Sequence, residues 1–216
     1  MRRAPKDQMS TSITPVNVRP PDGERTLRAD ARRNQQAVIV AAKRLFAENG
    51  LETQMPDVAK AANVGVGTVY RHFPTKEHLI VAIATQHFER MAERGRADLE
   101  LADPWEGICD FIRFAIQLQA DDRGLCEVMG SRPEVMNSVA EDAGLPELCD
   151  ELVKRAQRSG QLRPDLGWED VPMIACSIGH VTHDGPLPSV GRWPRLVEII
   201  LDGLRAPGSA SLPKRL

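Results

Sequence analysis

Thr68, Tyr70, Arg71 and His72 crowd into the short segment Gly67-Thr68-Val69-Tyr70-Arg71-His72-Phe73. Hydroxyls, a guanidinium and an imidazole at this spacing form the donor set that phosphate oxygens and base edges accept from. That is binding chemistry, and it needs a support that turns these side chains outward together. A helix from about Val66 to Phe73, stopped by Pro74, provides one. On it Val66, Val69 and Phe73 share one stripe at i, i+3 and i+7 and are expected to face inward. Gly67, Thr68, Tyr70, Arg71 and His72 are then left on the other side.

A second short helix is expected just before it. Thr53 is its candidate N-cap, and Pro56 falls in the first turn, where a missing N–H leaves no helical bond unmade. Val58, Ala59 and Ala62 give it a small apolar face. The turn between the two helices is Ala62-Asn63-Val64-Gly65: Asn and Gly tolerate left-handed backbone angles, and Val64 can pin the corner into the core. Small residues at such an elbow let two helices cross closely, as a helix-turn-helix requires.

Charge is distributed unevenly along the 216 residues. Residues 1–91 carry 14 Lys+Arg against 9 Asp+Glu, while residues 92–216 carry 14 against 21, which together give the net −2. A basic front and an acidic rear suit a molecule with one DNA-facing end. Residues 1–28 hold Pro5, Pro15, Pro20 and Pro21 with almost no apolar periodicity, and read as a disordered basic arm. Its Arg2, Arg3, Lys6, Arg19, Arg25 and Arg28 suit an electrostatic tether to the minor groove or, equally, a solvated leader. Met9 offers an alternative start. No apolar run is long enough for a signal peptide or a membrane span, so a cytoplasmic protein is expected.

The remainder reads as helices only. A first helix is expected from about Ala29 to Glu48, with Val38, Ala42, Leu45 and Phe46 inward, and a fourth from near Thr75 towards Glu93. Pro104 and Trp105 open an amphipathic stretch through Ile108, Phe111, Ile112, Ala115 and Leu118. Shorter helices are predicted around Gly124–Met129, Pro133–Ala143 and Pro146–Gly160, and two final ones at Glu169–His183 and Trp193–Arg205. Apolar residues cover too much of the last helix for a single buried stripe, so the final pair is expected to face a partner as well as its own core.

Four segments together bring a resemblance: Val38-Ile39-Val40-Ala41-Ala42-Lys43-Arg44-Leu45-Phe46-Ala47-Glu48-Asn49-Gly50, Asp57-Val58-Ala59-Lys60-Ala61-Ala62, Gly67 to Phe73, and Lys76-Glu77-His78-Leu79. In order and spacing, across about sixty residues, they resemble the N-terminal domain of TetR-family transcriptional regulators. Two positions depart from the family pattern: Asn63 stands at a turn position that is usually Gly, and Gly65 where Ser or Thr usually caps the recognition helix. The resemblance implies that Thr68 and Arg71 read bases or nearby phosphates, that Tyr70 and His72 grip the backbone, and that Gly67 permits close approach. It also places Lys76 and Thr53 against phosphates.

The expected fold is therefore all-α: an N-terminal three-helix helix-turn-helix DNA-binding domain at 29–75, a helical ligand-binding and dimerisation domain at 76–206, and a flexible tail at 207–216. The resemblance further implies a homodimer formed by the two C-terminal helices (about 169–183 and 193–205), bound to a near-palindromic double-stranded DNA operator. In such a dimer two recognition helices enter successive major grooves roughly 34 Å apart. It also implies a small-molecule effector bound in the body. Candidate lining residues are Trp105, Cys109, Phe111, Phe114, Met129, Met136, Trp168, Met173, Cys176 and His180, a set that suits a moderately hydrophobic ligand. No cofactor is expected.

Other chemistry has little support. Cys109, Cys126, Cys149 and Cys176 are widely spaced without a C-x-x-C pair, which argues against structural zinc. Cys176, His180, His183 and Asp184 share helical spacing, so a metal- or thiol-responsive DNA-binding sensor is the alternative. The chain has no nucleophile elbow, phosphate loop or His-Glu-x-x-His zinc motif, and an enzyme is not expected.

Overall fold

The computed structural model describes residues 22–184, 193–206 and 212–213, with side chains described at 29–179, 193–206 and 212–213. These residues form ten α-helices, a 3-10 turn at Gly50–Glu52 and one isolated β-bridge between Leu162 and Arg205. The chain divides into two compact units, Met1–Arg33 and Asn34–Leu216. The described part of the first is the start of α1 (Asp22–Asn49), where Asp30 pairs with Arg33.

α1 begins at Asp22, not at Ala29. The run Glu24-Arg25-Thr26-Leu27-Arg28-Ala29 is made mostly of good helix formers, and Pro20 and Pro21 precede it, so helix propensity extends into the stretch read as arm. Residues 1–21 of that arm lie outside the described residues, as do 207–211 and 214–216 of the tail. Within the tail, the Leu212 N–H donates to the Asp165 carboxylate at 2.8 Å.

The second unit contains the helix-turn-helix and the body. Val38, Ile39, Ala42 and Phe46 of α1 are buried against Met55, Val58 and Ala59 of α2 (Met55–Ala61), Val69 of α3 (Val66–His72) and the head of α4 (Lys76–Leu99). α4 continues past Glu93 to Leu99 and carries buried residues along its whole length, from Leu79 to Asp98. Thr75 caps it, accepting from the His78 N–H at 3.3 Å.

The body comprises α5 (Pro104–Ala120), α6 (Arg123–Ser131), α7 (Pro133–Asp142), α8 (Leu145–Arg158), α9 (Asp170–Asp184) and α10 (Trp193–Leu204). Each lies within two residues of its expected bounds. α5 is the central element, packed by α4, α8 and α9. Its predicted stripe of Ile108, Phe111, Ile112, Ala115 and Leu118 is buried throughout, and Ile116 is buried too. At Gly107 the α4 and α5 backbones touch: a Cβ there would sit 2.6 Å from the Asp98 carbonyl oxygen. Ion pairs extend this contact outward. Arg94 donates to Asp98 at 2.8 Å and to Asp110 at 3.2 Å, and Arg113 clamps Glu198 of α10 bidentately at 2.8 and 2.9 Å.

Candidate nucleic-acid interface

The elbow between α2 and α3 is built as the sequence requires. Asn63 has φ +54°, the left-handed region that Asn tolerates better than most residues. Its N–H and that of Val64 close the α2 end on the carbonyls of Lys60 (3.2 Å) and Ala59 (3.0 Å). Val64 packs against the core. Gly65 is the N-cap of α3 in extended conformation, and no side chain caps the helix there.

Two expectations about this region need correction. Val66 is 42 % exposed, although its spacing put it on the inward stripe with Val69 and Phe73, which are buried. It is the first residue of α3, and Cβ atoms tilt towards a helix N-terminus, so its side chain projects beyond the α2–α3 contact. Thr53 is not the N-cap of α2: that position is Gln54, which makes no side-chain capping bond. The Thr53 hydroxyl instead donates to the Gly50 carbonyl at 3.0 Å, with that of Leu45 at 3.3 Å, and the residue is buried. It thus ties the end of α1 to the start of α2.

The outward face of α3 carries Gly67, Tyr70 and Arg71, all exposed, with Thr68 half-buried beside them. A Cβ on Gly67 would meet nothing within 4 Å, so the surface above it is open to close approach. His72 is half-buried, and its Nε2 is turned inside with no partner among the described residues. Lys76 is half-buried at the first position of α4, beside Glu77, which pairs with Arg132 at 3.7 Å. Val66 adds an apolar group to this face, of the kind that contacts thymine methyls; the helical period alone hid it.

A family model described as "Bacterial regulatory proteins, tetR family" matches residues 38–83, and one described as "Transcriptional regulator SbtR-like, C-terminal domain" matches 103–206. The crystal structure of a TetR transcription regulatory protein from Mycobacterium vanbaalenii is 34 % identical, with a TM-score of 0.58 over 83 % of this chain and 99 % of that one. The chain belongs to the TetR family. The HTH-type transcriptional regulator UidR of Escherichia coli is 28 % identical over 155 residues, which cover 65 % of this chain and 74 % of that protein. The transcriptional repressor KstR of Rhodococcus jostii is 41 % identical over 76 residues, 34 % of this chain and 36 % of the repressor. As a TetR-family member the chain is a transcriptional regulator with a DNA-binding helix-turn-helix, and these relatives are regulators rather than enzymes.

In this TetR-family body the ten candidate ligand residues are spread between core and surface. Trp105, Cys109, Phe111 and Met136 are buried; Phe114, Met129 and Trp168 are half-buried. Met173 and Cys176 are exposed on α9, and the His180 side chain lies outside the described ones. The Arg205 guanidinium covers the Trp105 ring at 4.5 Å. An open concavity of about 620 Å³ lies at the α1–α2 end and includes Thr53, and a smaller one of about 190 Å³ lies between α1, α4 and α6. None of the ten lines either.

For the sensor alternative, the side chains of His180, His183 and Asp184 lie outside the described residues. Among the described residues no group of His, Cys, Asp or Glu is placed to hold a metal ion. Burial pushes the Cys109 and Cys149 thiols up to about 12, so both stay protonated at neutral pH. No described helix is long and apolar enough to cross a membrane.

Proposed function

We infer that this chain is a TetR-type repressor that binds a near-palindromic operator as a homodimer and is released by a small, moderately hydrophobic ligand. The observation that carries the reading is the α3 face. Tyr70 and Arg71 stand exposed beside Thr68 on a helix whose opposite side is fixed by buried Val69 and Phe73. Arg71 and Thr68 are assigned to base edges or adjacent phosphates, Tyr70 to the backbone, and Lys76 to a phosphate at the head of α4, where helix amides and dipole favour an anion. Gly67 lets the groove wall approach.

Dimerisation is assigned to α9 and α10. Met173 is 69 % exposed and Ile199 57 %, with Leu196 also exposed, an apolar surface unusual for a solvent-facing helix pair. Repression is favoured because a protein that is 41 % identical over a 76-residue stretch is named as a repressor. Effector release requires only that the ligand prefer one arrangement of the two DNA-binding units over the other.

The test is selection of DNA by the purified protein from fragments of its host genome, followed by footprinting. A protected inverted repeat whose half-sites are about one helical turn apart supports the reading. Enrichment of no sequence above the non-specific background would refute it.

A further inference from the structure

The cavity of about 190 Å³ between α1, α4 and α6 has a composition that the regulatory reading leaves unused. Its walls include Lys43 of α1, Gln86, His87 and Arg90 of α4, and Leu118 and Leu125 of α5 and α6. His87 is 4 % exposed, and its imidazole Nε2 is buried with no hydrogen-bond partner among the described residues. A buried polar atom without a partner is costly, and a site that keeps one is suited to a ligand group that supplies the bond.

The charges around the cavity are not equally free. Asp122 caps α6, accepting from the Leu125 N–H at 2.9 Å, and pairs with Lys43. Asp121, at the end of α5, accepts from the Gln117 amide and is exposed. Arg90 is exposed and makes no ion pair among the described residues. Asp121, bonded among the described residues only to a neutral amide, keeps its charge but is exposed to solvent, whereas the unpaired cation Arg90 sits one helical turn from His87 on the same face of α4. On the other side Leu118 and Leu125 are buried, an apolar wall. At about 30 Å³ per water the space holds about six waters, or a ligand of similar heavy-atom count.

We propose that this junction binds a short aliphatic monocarboxylate, with Arg90 and the His87 Nε2 meeting the carboxylate and Leu118 and Leu125 its hydrocarbon chain. The existing electrostatics agree. Burial first, then the charges of Lys43 and Arg90, hold His87 down to about 4 against the opposing pull of Asp122. A bound carboxylate offsets those cations and accepts a hydrogen bond from the ring, so it raises the His87 pKa and binds more tightly as pH falls. The site is separate from the operator reading, and its test contains no DNA.

The experiment is a titration of the full chain with sodium butyrate, followed through the His87 ring resonances in histidine-labelled protein. A saturable His87 shift is expected at neutral pH. Arg90→Gln, a surface change that leaves the other resonances in place, weakens butyrate about tenfold, as expected when one charge-assisted bond is removed. Acetate, lacking the two methylenes that meet the leucines, binds about fifteenfold more weakly than butyrate. The proposal is overturned if His87 does not shift, if Arg90→Gln binds butyrate like the parent, or if acetate binds as well as butyrate.

Discussion

Gly124, in the first turn of α6, rests directly on the carbonyl oxygen of Lys43 in α1, so close that a Cβ at position 124 would collide with it. The same two segments are joined by the Lys43–Asp122 ion pair. The body therefore meets the helix-turn-helix through a backbone contact that only glycine permits, stapled by one charge pair.

Gly124→Ala is expected to force α1 and α6 apart and to cost roughly 1–3 kcal/mol, as other overpacked contacts do. Thermal unfolding measures it: a fall of about 2–4 °C per kcal/mol is expected for a chain of this size. An unchanged Tm would show that the two backbones can separate without cost.

His87 gives the fold a dependence on pH. Its folded pKa lies at about 4, below the unfolded value of 6.5. The unfolded chain thus takes up a proton between those values while the folded chain does not. The stability tied to the neutral ring is fully present above pH 6.5 and is lost as pH falls towards 4, about 3 kcal/mol across the window. Urea unfolding at pH 7, 6 and 5 should show the decline, and His87→Gln should flatten it. Parallel pH curves for parent and variant would contradict the assignment.

The α2–α3 elbow can be tested at two adjacent positions. Asn63→Gly should be close to neutral, whereas Asn63→Ala should cost about 1 kcal/mol because Ala resists the φ of +54°. Gly65→Ser restores a side-chain cap to α3 and should gain a few tenths of a kcal/mol. Chemical denaturation of the three variants checks the order Gly65→Ser, Asn63→Gly, Asn63→Ala from most to least stable.

These positions also mark what the sequence made legible. The helices were readable because Pro, Gly and capping residues punctuate a strong helical period, as at Pro104 behind the Asp103 cap, and at Gly144, whose φ is +71°. Local pattern could not tell that Val66 lies at a helix start beyond the reach of α2, nor that Thr53 faces the end of α1. His87 carried no local signal. It belongs to α4, but its burial and lack of a partner come from residues of α1 and α6 that are distant in sequence. The outward face of α3 was legible because it depends on one short helix, while a pocket in the body depends on several helices at once.

If α9 and α10 form the dimer, Ile199→Glu places a charge in the interface twice, once per subunit, and should weaken association about hundredfold. Sedimentation over a concentration series measures this. Iodoacetamide labelling of Cys176, exposed in the single chain, should slow as the parent dimerises and not in the variant. A parent that stays monomeric at high concentration would reject this interface.

The most direct measurement is operator affinity as a function of salt for the parent, Arg71→Ala and Tyr70→Phe, with melting curves to verify folding. Arg71→Ala is expected to bind about tenfold or more weakly with an unchanged Tm. Removing one cation from a phosphate should reduce the slope of log affinity against log salt by about 0.9. Tyr70→Phe should weaken binding by a smaller factor. If both variants bind like the parent with the same salt slope, the outward face of α3 is not the surface that reads DNA.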